Sequence, residues 1–125
     1  MFLVYLLKND NKTYIGYTND FLKRWMQHNK YLSGGAKYTT KNEGLWQPIC
    51  IVDGFVCKKE AMRCEWRLKR ARGYINRIKY INEYLSNKEK FTKKGNDIKS
   101  LNLNVFVSDE YKDLFSINTN ELYWF

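Results

Sequence analysis

Two short runs near the start of the chain, residues 2–7 and 12–17, constrain the fold more than any other feature of the sequence. The first run is apolar, and the second alternates and is rich in aromatic and β-branched residues, as half-buried strands are. The polar cluster at residues 8–11, Lys-Asn-Asp-Asn, separates them and has the composition of a turn. The pattern therefore predicts a β-hairpin.

After the hairpin, the sequence predicts a helix, one further strand and then two more helices. Thr18, Asn19 and Asp20 suit the N-cap of a helix that we expect to run to about Tyr31. Its apolar face would be Phe21, Leu22, Trp25 and Met26. A glycine-containing stretch at residues 33–36 ends this helix and opens a loop through Gly44.

After this loop we predict a strand at residues 49–55 and helices at 57–71 and 74–85. The core stripe of the second helix would be Cys57, Ala61, Cys64 and Leu68. A polar connection at 86–96 leads to a strand candidate at 101–107 and a short helix at 109–115. We therefore expect an α/β (α+β) domain at residues 1–90. Residues 91–125 would be an appendage that packs on the domain or mediates contacts between protomers.

The positive charge is concentrated in the middle of the chain. The net charge is +9, and residues 58–94 alone carry thirteen Lys or Arg and four Asp or Glu, also +9. Such a basic block, interleaved with aromatic residues, points to a polyanion such as nucleic acid. A merely soluble basic surface is an equally ordinary explanation of the charge alone.

The cysteines and the hydropathy of the chain indicate where in the cell the protein is expected. The three cysteines have no CxxC spacing, and one histidine is too few for a zinc site of known spacing. Nothing suggests a disulfide framework, so we expect an intracellular location, in the cytoplasm or nucleus. The apolar run at residues 2–7 is too short for a signal peptide or a membrane span, so no membrane partner is expected.

Five polar residues are candidates for chemistry, although each has a simpler interpretation. Glu65 could hold Mg²⁺, or it could merely pair with Lys69 four residues later. Arg24 and His28, also four apart, could bind phosphate and move a proton, or form a solvated helix face. Tyr5 and Tyr14, one on each strand of the hairpin, could be cross-strand packing.

The order of these residues resembles the GIY-YIG endonuclease family. The sequence Val4-Tyr5-Leu6 stands at the first motif, which is degenerate, while Tyr14-Ile15-Gly16 matches the second. Arg24, His28 and Glu65 follow in the family's order. Later blocks at residues 34–39, 54–55 and 61–66 are similar to the structure-specific, Slx-type branch, and the likeness covers about residues 1–85.

The resemblance implies a small three-stranded, mainly antiparallel sheet flanked by helices, and cleavage of DNA with one divalent metal, Mg²⁺ or Mn²⁺. By position, Tyr14 would be the general base and Tyr5 would orient water or phosphate. Arg24 would clamp the phosphate, His28 would assist the tyrosines, Glu65 would hold the metal, and Gly16 would allow a close backbone approach. The DNA-binding candidates are Lys37, Arg67, Lys69, Arg70 and Arg72.

We therefore expect a metal-dependent endonuclease acting on branched DNA, with functions in DNA repair and recombination. A non-catalytic branched-DNA binding module, a small RNA-binding protein, and a sequence-specific homing or restriction nuclease are the alternatives. Members of the Slx-type branch carry a zinc-binding RING-type domain, for which this chain has no residues. A regulatory partner and a homodimer are left open.

Overall fold

The computed structural model describes residues 1–42 and 44–122. The strands are β1 (Phe2–Asn9), β2 (Lys12–Thr18), β3 (Gln47–Phe55), β4 (Asn104–Val107) and β5 (Asn120–Glu121). The α-helices are α1 (Phe21–His28), α2 (Lys37–Lys41), α3 (Lys58–Leu68) and α4 (Tyr74–Asn87). Two 3₁₀ helices, Ile98–Leu101 and Asp109–Leu114, flank β4.

The predicted hairpin is confirmed, and it forms one edge of a sheet in the order β2-β1-β3-β4-β5. The first four strands pair antiparallel, and the short β5 runs parallel to β4. The mixed α/β class with an antiparallel sheet is confirmed. The sheet has two strands more than the three that the family resemblance implied, because β4 and then β5 extend it beyond β3.

One face of the sheet carries the main core, to which α3 and α4 contribute Ala61, Cys64, Leu68, Ile78 and Ile81. Residues from the predicted appendage join the same cluster: Phe91, Ile98, Val105, Val107 and Tyr111. A second cluster of Tyr5, Leu7, Trp46 and Ile51 forms separately, with Phe21 and Trp25 of α1 packed against it. The predicted appendage reaches to Phe125, and its last three residues lie outside the described part of the chain.

Several boundaries and contacts differ from the prediction. Helix α1 ends at His28 instead of near Tyr31, and Leu22 is 62% exposed because it lies on the outer side of α1. Helix α3 begins only at Lys58, so Cys57 precedes it in an extended conformation and is exposed instead of joining the buried stripe. The loop through Gly44 contains the unpredicted helix α2, and the predicted helix at 109–115 is a 3₁₀ helix. Among the described residues, none of the helices combines the length and apolar character needed to cross a bilayer.

Candidate active site

The hairpin and α1 together place Tyr5 in the interior of the protein. Tyr5 on β1 lies opposite Gly16 on β2. A Cβ atom at position 16 would overlap the Tyr5 hydroxyl and would lie 2.6 Å from Cζ of the same ring. Glycine is therefore required at position 16 because the phenol of Tyr5 occupies the space that any side chain would fill.

The Tyr5 hydroxyl is joined to a chain of hydrogen bonds that passes through His28. Oη of Tyr5 is 2.7 Å from Nε2 of His28, and Nδ1 of His28 is 2.8 Å from the hydroxyl of Thr39. Because the Thr39 hydroxyl donates to the Ala36 carbonyl at 3.0 Å, its oxygen accepts a hydrogen bond from Nδ1–H. Nε2 is then the unprotonated nitrogen, and Tyr5 donates its proton toward it.

The pKa shifts support this protonation pattern. Burial, and secondarily the positive charge of Arg24, lowers the pKa of His28 to about 4, so the imidazole is neutral at pH 7. Burial raises the pKa of Tyr5 well above its usual range, and Arg24 only partly opposes this shift. The pair is therefore a neutral phenol donating to a neutral imidazole, which is an arrangement able to pass a proton from oxygen to nitrogen.

Arg24 and Tyr14 line the same cleft as Tyr5. Nη1 of Arg24 donates to the Gln27 side chain at 3.0 Å and to the Gly34 carbonyl at 2.8 Å, so the glycine-containing loop orients the guanidinium. Tyr14 packs its ring on His28, with 4.8 Å between the ring centroids. Burial raises the pKa of Tyr14, and the nearby Arg24 lowers it in part.

Glu65 of α3 lines this cleft as well. Its carboxylate is 3.6 Å from Nζ of Lys69, so the ion pair that the i,i+4 spacing predicts does form. Glu65 nevertheless also lines the cleft. Burial raises the pKa of Glu65, with Lys69 and the Tyr17 backbone acting in the opposite direction. A half-buried carboxylate near an arginine fits a divalent ion of the Mg²⁺ type, which binds through one or two carboxylates and fills its other positions with water and substrate phosphate. No group of three or more His, Cys, Asp or Glu suited to a metal occurs in the part of the chain that the structure describes.

We call this 540 Å³ space the catalytic cleft. It brings together residues from four elements, β1, β2, α1 and α3: Tyr5, Tyr14, Gly16, Arg24 and Glu65. His28 is buried behind it and touches both tyrosines. Sequence reasoning missed Thr39, which orients His28, and Lys58, which lines the cleft. Lys58 belonged to the predicted basic block, and Thr39 ends the block at residues 34–39 that resembles the Slx-type branch, although that resemblance did not indicate its contact with His28.

The predicted DNA-binding residues occupy different environments. Lys37, Arg70 and Arg72 are exposed. Lys69 pairs with Glu65, and the guanidinium of Arg70 lies 4.0 Å from the centre of the Trp66 ring. Arg67 differs from these, because its Nε donates to the Phe91 carbonyl at 2.7 Å and ties α3 to the connection after α4.

Comparison with known proteins places this site in a family. The model of the GIY-YIG catalytic domain matches residues 1–79. A UPF0213 protein of Bacillus velezensis is 44% identical over 68 residues, which cover 54% of this chain and 65% of that protein.

Two structure-specific endonuclease subunit SLX1 homologues also match. The homologue from Monosiga brevicollis is 46% identical over 52 residues, covering 42% of this chain and 12% of its own length. The one from Giardia intestinalis is 34% identical over 80 residues, covering 62% and 22%. The chain thus spans just under two thirds of the UPF0213 protein and about a fifth or less of these two homologues. Because the family model covers more than half of the chain and its characteristic residues meet in one cleft, the chain belongs to the GIY-YIG family and carries its nuclease domain.

Proposed function

We propose that this protein is a metal-dependent endonuclease that hydrolyses DNA phosphodiester bonds next to branch points. The observation that carries the proposal is the meeting of the Tyr5–His28 pair, Arg24 and Glu65 around one cleft. The partial similarity to the SLX1 homologues, which are named as structure-specific endonuclease subunits, supports the preference for branched DNA.

Each residue in the cleft has a role in this mechanism. Arg24, held by Gln27 and the Gly34 carbonyl, presents its guanidinium to the scissile phosphate. Glu65 would hold Mg²⁺ or Mn²⁺, and the bound ion would neutralise charge that develops on the phosphate. Lys58 adds positive charge to the same cleft.

The hydrogen-bond chain supports Tyr5 as the general base, in place of Tyr14. A phenol oxygen that donates its proton to Nε2 of His28 keeps its lone pairs for the proton of an attacking water. As the water oxygen bonds to phosphorus, the water proton moves to Tyr5 and the Tyr5 proton moves to His28. The bond from phosphorus to the leaving strand's oxygen breaks at the same time, and that oxygen takes a proton from solvent. Tyr14, packed on His28 and close to Arg24, then positions the water or the phosphate.

The decisive experiment compares 5′-flap, replication-fork, four-way-junction and linear duplex DNA, each with Mg²⁺ and with EDTA. We expect Mg²⁺-dependent cutting close to the branch, with linear duplex cut much more slowly. Cutting at a fixed base sequence wherever the branch is moved would favour a homing or restriction nuclease. If the protein bound branched DNA but did not cut it in Mg²⁺ or Mn²⁺, the non-catalytic binding module would be the better description.

The metal role of Glu65 is tested by Glu65→Gln, which keeps the size of the side chain and removes its charge. We expect cleavage to fall at least 10²-fold while DNA affinity is retained or improved, since a negative charge near the phosphate is lost. Glu83→Gln is the matched control, because Glu83 forms an exposed ion pair on α4 outside the cleft. Wild-type cleavage by Glu65→Gln would remove Glu65 from the metal site.

A further inference from the structure

A second cleft, of about 580 Å³, lies beside the catalytic cleft, and we call it the flanking cleft. Its lining includes four basic residues, Lys12, Lys69, Arg72 and Arg77, and two tyrosines, Tyr14 and Tyr38. None of the described residues that line it is Asp or Glu. Its volume is within the range of sites that hold small molecules the size of a nucleotide.

The two clefts follow the same edge strand of the sheet. Residues 12–15 line the flanking cleft and Tyr14, Gly16, Tyr17 and Thr18 line the catalytic cleft, so Tyr14 is shared by both. At about 3.3 Å per strand residue, the centres of these two segments are displaced by roughly 8 Å along β2. Lys69 joins the clefts as well, because it pairs with Glu65 and its Nζ is 5.8 Å from the centre of the Tyr14 ring.

The basic side of the flanking cleft is organised before any ligand binds. Nε of Arg77 donates to the Ala71 carbonyl at 2.9 Å, and Nη1 donates to the Thr13 hydroxyl at 2.8 Å. Burial lowers the pKa of this half-buried arginine, since the cleft removes water from its charge. An anion entering the cleft would therefore meet a guanidinium that is already oriented and has lost part of its hydration.

The aromatic side offers a surface for a base. Tyr38, in the first turn of α2, keeps 44% of its surface exposed, while its ring is anchored 6.0 Å from the centre of Trp46. Aromatic rings that combine with a basic groove are the usual platform for unpaired bases, because every base has a π face. A base within a duplex is already stacked on both sides and cannot use such a platform.

We propose that the flanking cleft binds an unpaired nucleotide of the DNA strand that is cut, one to three nucleotides from the scissile phosphate. Its phosphate contacts Arg72 and Arg77, and its base stacks on Tyr38. This inference rests on the proposed nuclease function and deepens it: the protein prefers branches that carry a single-stranded arm, such as flaps, because linear duplex supplies no unpaired nucleotide at this distance from the cleaved bond.

The test replaces single phosphates of a flap substrate by neutral methylphosphonates, one linkage at a time, and measures affinity by fluorescence anisotropy in EDTA. Arg72→Gln is compared with Lys79→Gln, which removes the same charge from an exposed position of α4 that does not line either cleft. One linkage near the branch should weaken binding by about 10-fold for the wild type and for Lys79→Gln. At that same linkage Arg72→Gln should lose clearly less affinity than the wild type, because only the contact with Arg77 is left to lose.

A second arm tests the stacking. Tyr38→Ala should weaken binding of the flap by about 10-fold and Tyr38→Phe should not. An abasic site at the contacted nucleotide should abolish the difference between the two variants. Equal losses for Arg72→Gln and wild type at every linkage, or a Tyr38→Ala effect unchanged by the abasic site, would overturn the flanking-cleft proposal. Because affinity is measured without metal, this result is independent of whether the protein cuts DNA.

Discussion

The Tyr5 hydroxyl occupies a space that residues far apart in the sequence create together. Gly16 leaves room for it, His28 accepts its hydrogen bond, and Thr39 determines which nitrogen of His28 carries the proton. None of these contacts is local, so each depends on the register of the hairpin and on the packing of α1 against it. The position and the hydrogen bonding of the Tyr5 hydroxyl thus depend on contacts between individual atoms of these residues.

Tyr5→Phe and Tyr14→Phe distinguish the two tyrosines as candidates for the base. Each variant removes one hydroxyl and little volume. If Tyr5 transfers the proton, Tyr5→Phe should lower kcat at least 10²-fold, and Tyr14→Phe should have a smaller effect expressed partly in KM. Single-turnover cleavage of a flap substrate measures both. If Tyr14→Phe lost more kcat than Tyr5→Phe, Tyr14 would be the general base.

His28 makes stability depend on pH in a predictable direction. Its pKa falls from about 6.5 in the unfolded chain to about 4 in the folded protein, so the unfolded state binds the proton more readily. The contribution is complete above pH 6.5 and is lost as the pH falls toward 4, a change of roughly 3 kcal/mol. Urea unfolding of the wild type and of His28→Gln between pH 4 and 7 measures this contribution of His28 to the free energy of unfolding. Parallel pH profiles for the two proteins would contradict it.

At the scale of elements, α3 is the helix that carries Glu65, and the buried carboxylate of Glu60 on the same helix holds the connection after α4 against it. The side chain of Glu60 is 2% exposed, and its Oε1 is 2.6 Å from Nη1 of Arg63. The same oxygen accepts from the backbone N–H of Asn96 at 3.0 Å. Arg67 makes a second tie from α3 to this segment through the Phe91 carbonyl. The polar connection after α4 is therefore fastened to α3.

Glu60→Ala should destabilise the protein by roughly 3 kcal/mol, because Arg63 and the Asn96 N–H lose a buried partner. Thermal or urea unfolding measures the effect. The matched control is Glu83→Ala, which removes a 3.7 Å pair whose partners are each 50% exposed and should cost less than about 1 kcal/mol. If the two variants were equally stable, the Glu60 carboxylate would not be what fastens the connection after α4 to α3.

At the scale of the whole molecule, charge and core are distributed differently along the chain. Residues 58–94 carry a net charge of +9, and residues 95–125 carry −3. The apolar core is nevertheless shared, since Val105 and Val107 of β4 pack in the same cluster as the residues of α3 and α4. The later segment thus completes the core, while the basic helices are available for phosphate contacts.

Salt dependence should report these phosphate contacts. Replacing Arg70 and Arg72 together by Gln should weaken binding of branched DNA and reduce the slope of log affinity against log salt by up to about 2, since each phosphate contact contributes roughly 0.9. Arg67→Gln is the informative contrast, because its guanidinium is tied to Phe91. It should lower the melting temperature and change the slope little. If the double variant kept the wild-type slope of log affinity against log salt, the DNA would bind away from Arg70 and Arg72.

The sequence by itself determined the local structure. The hairpin, helices α1, α3 and α4 and the strand β3 follow from periods of two and 3.6 residues and from turn-forming residues, which act over short distances. The resemblance of the motif order indicated Tyr5, Tyr14, Gly16, Arg24 and Glu65, and these residues do line one cleft.

Only the tertiary structure decided which partners these residues meet. A period shows which face of a helix is apolar, but the contact of His28 with Tyr5 and Thr39 depends on how three separate segments pack. The same reason explains why Cys57 is exposed, why Arg67 binds a backbone carbonyl, and why Lys12, Tyr38 and Arg77 share a cleft. Long-range contacts leave no periodic signal in a single sequence, so the hydrogen-bond chain behind Tyr5 and the cleft beside it became visible only in the folded protein.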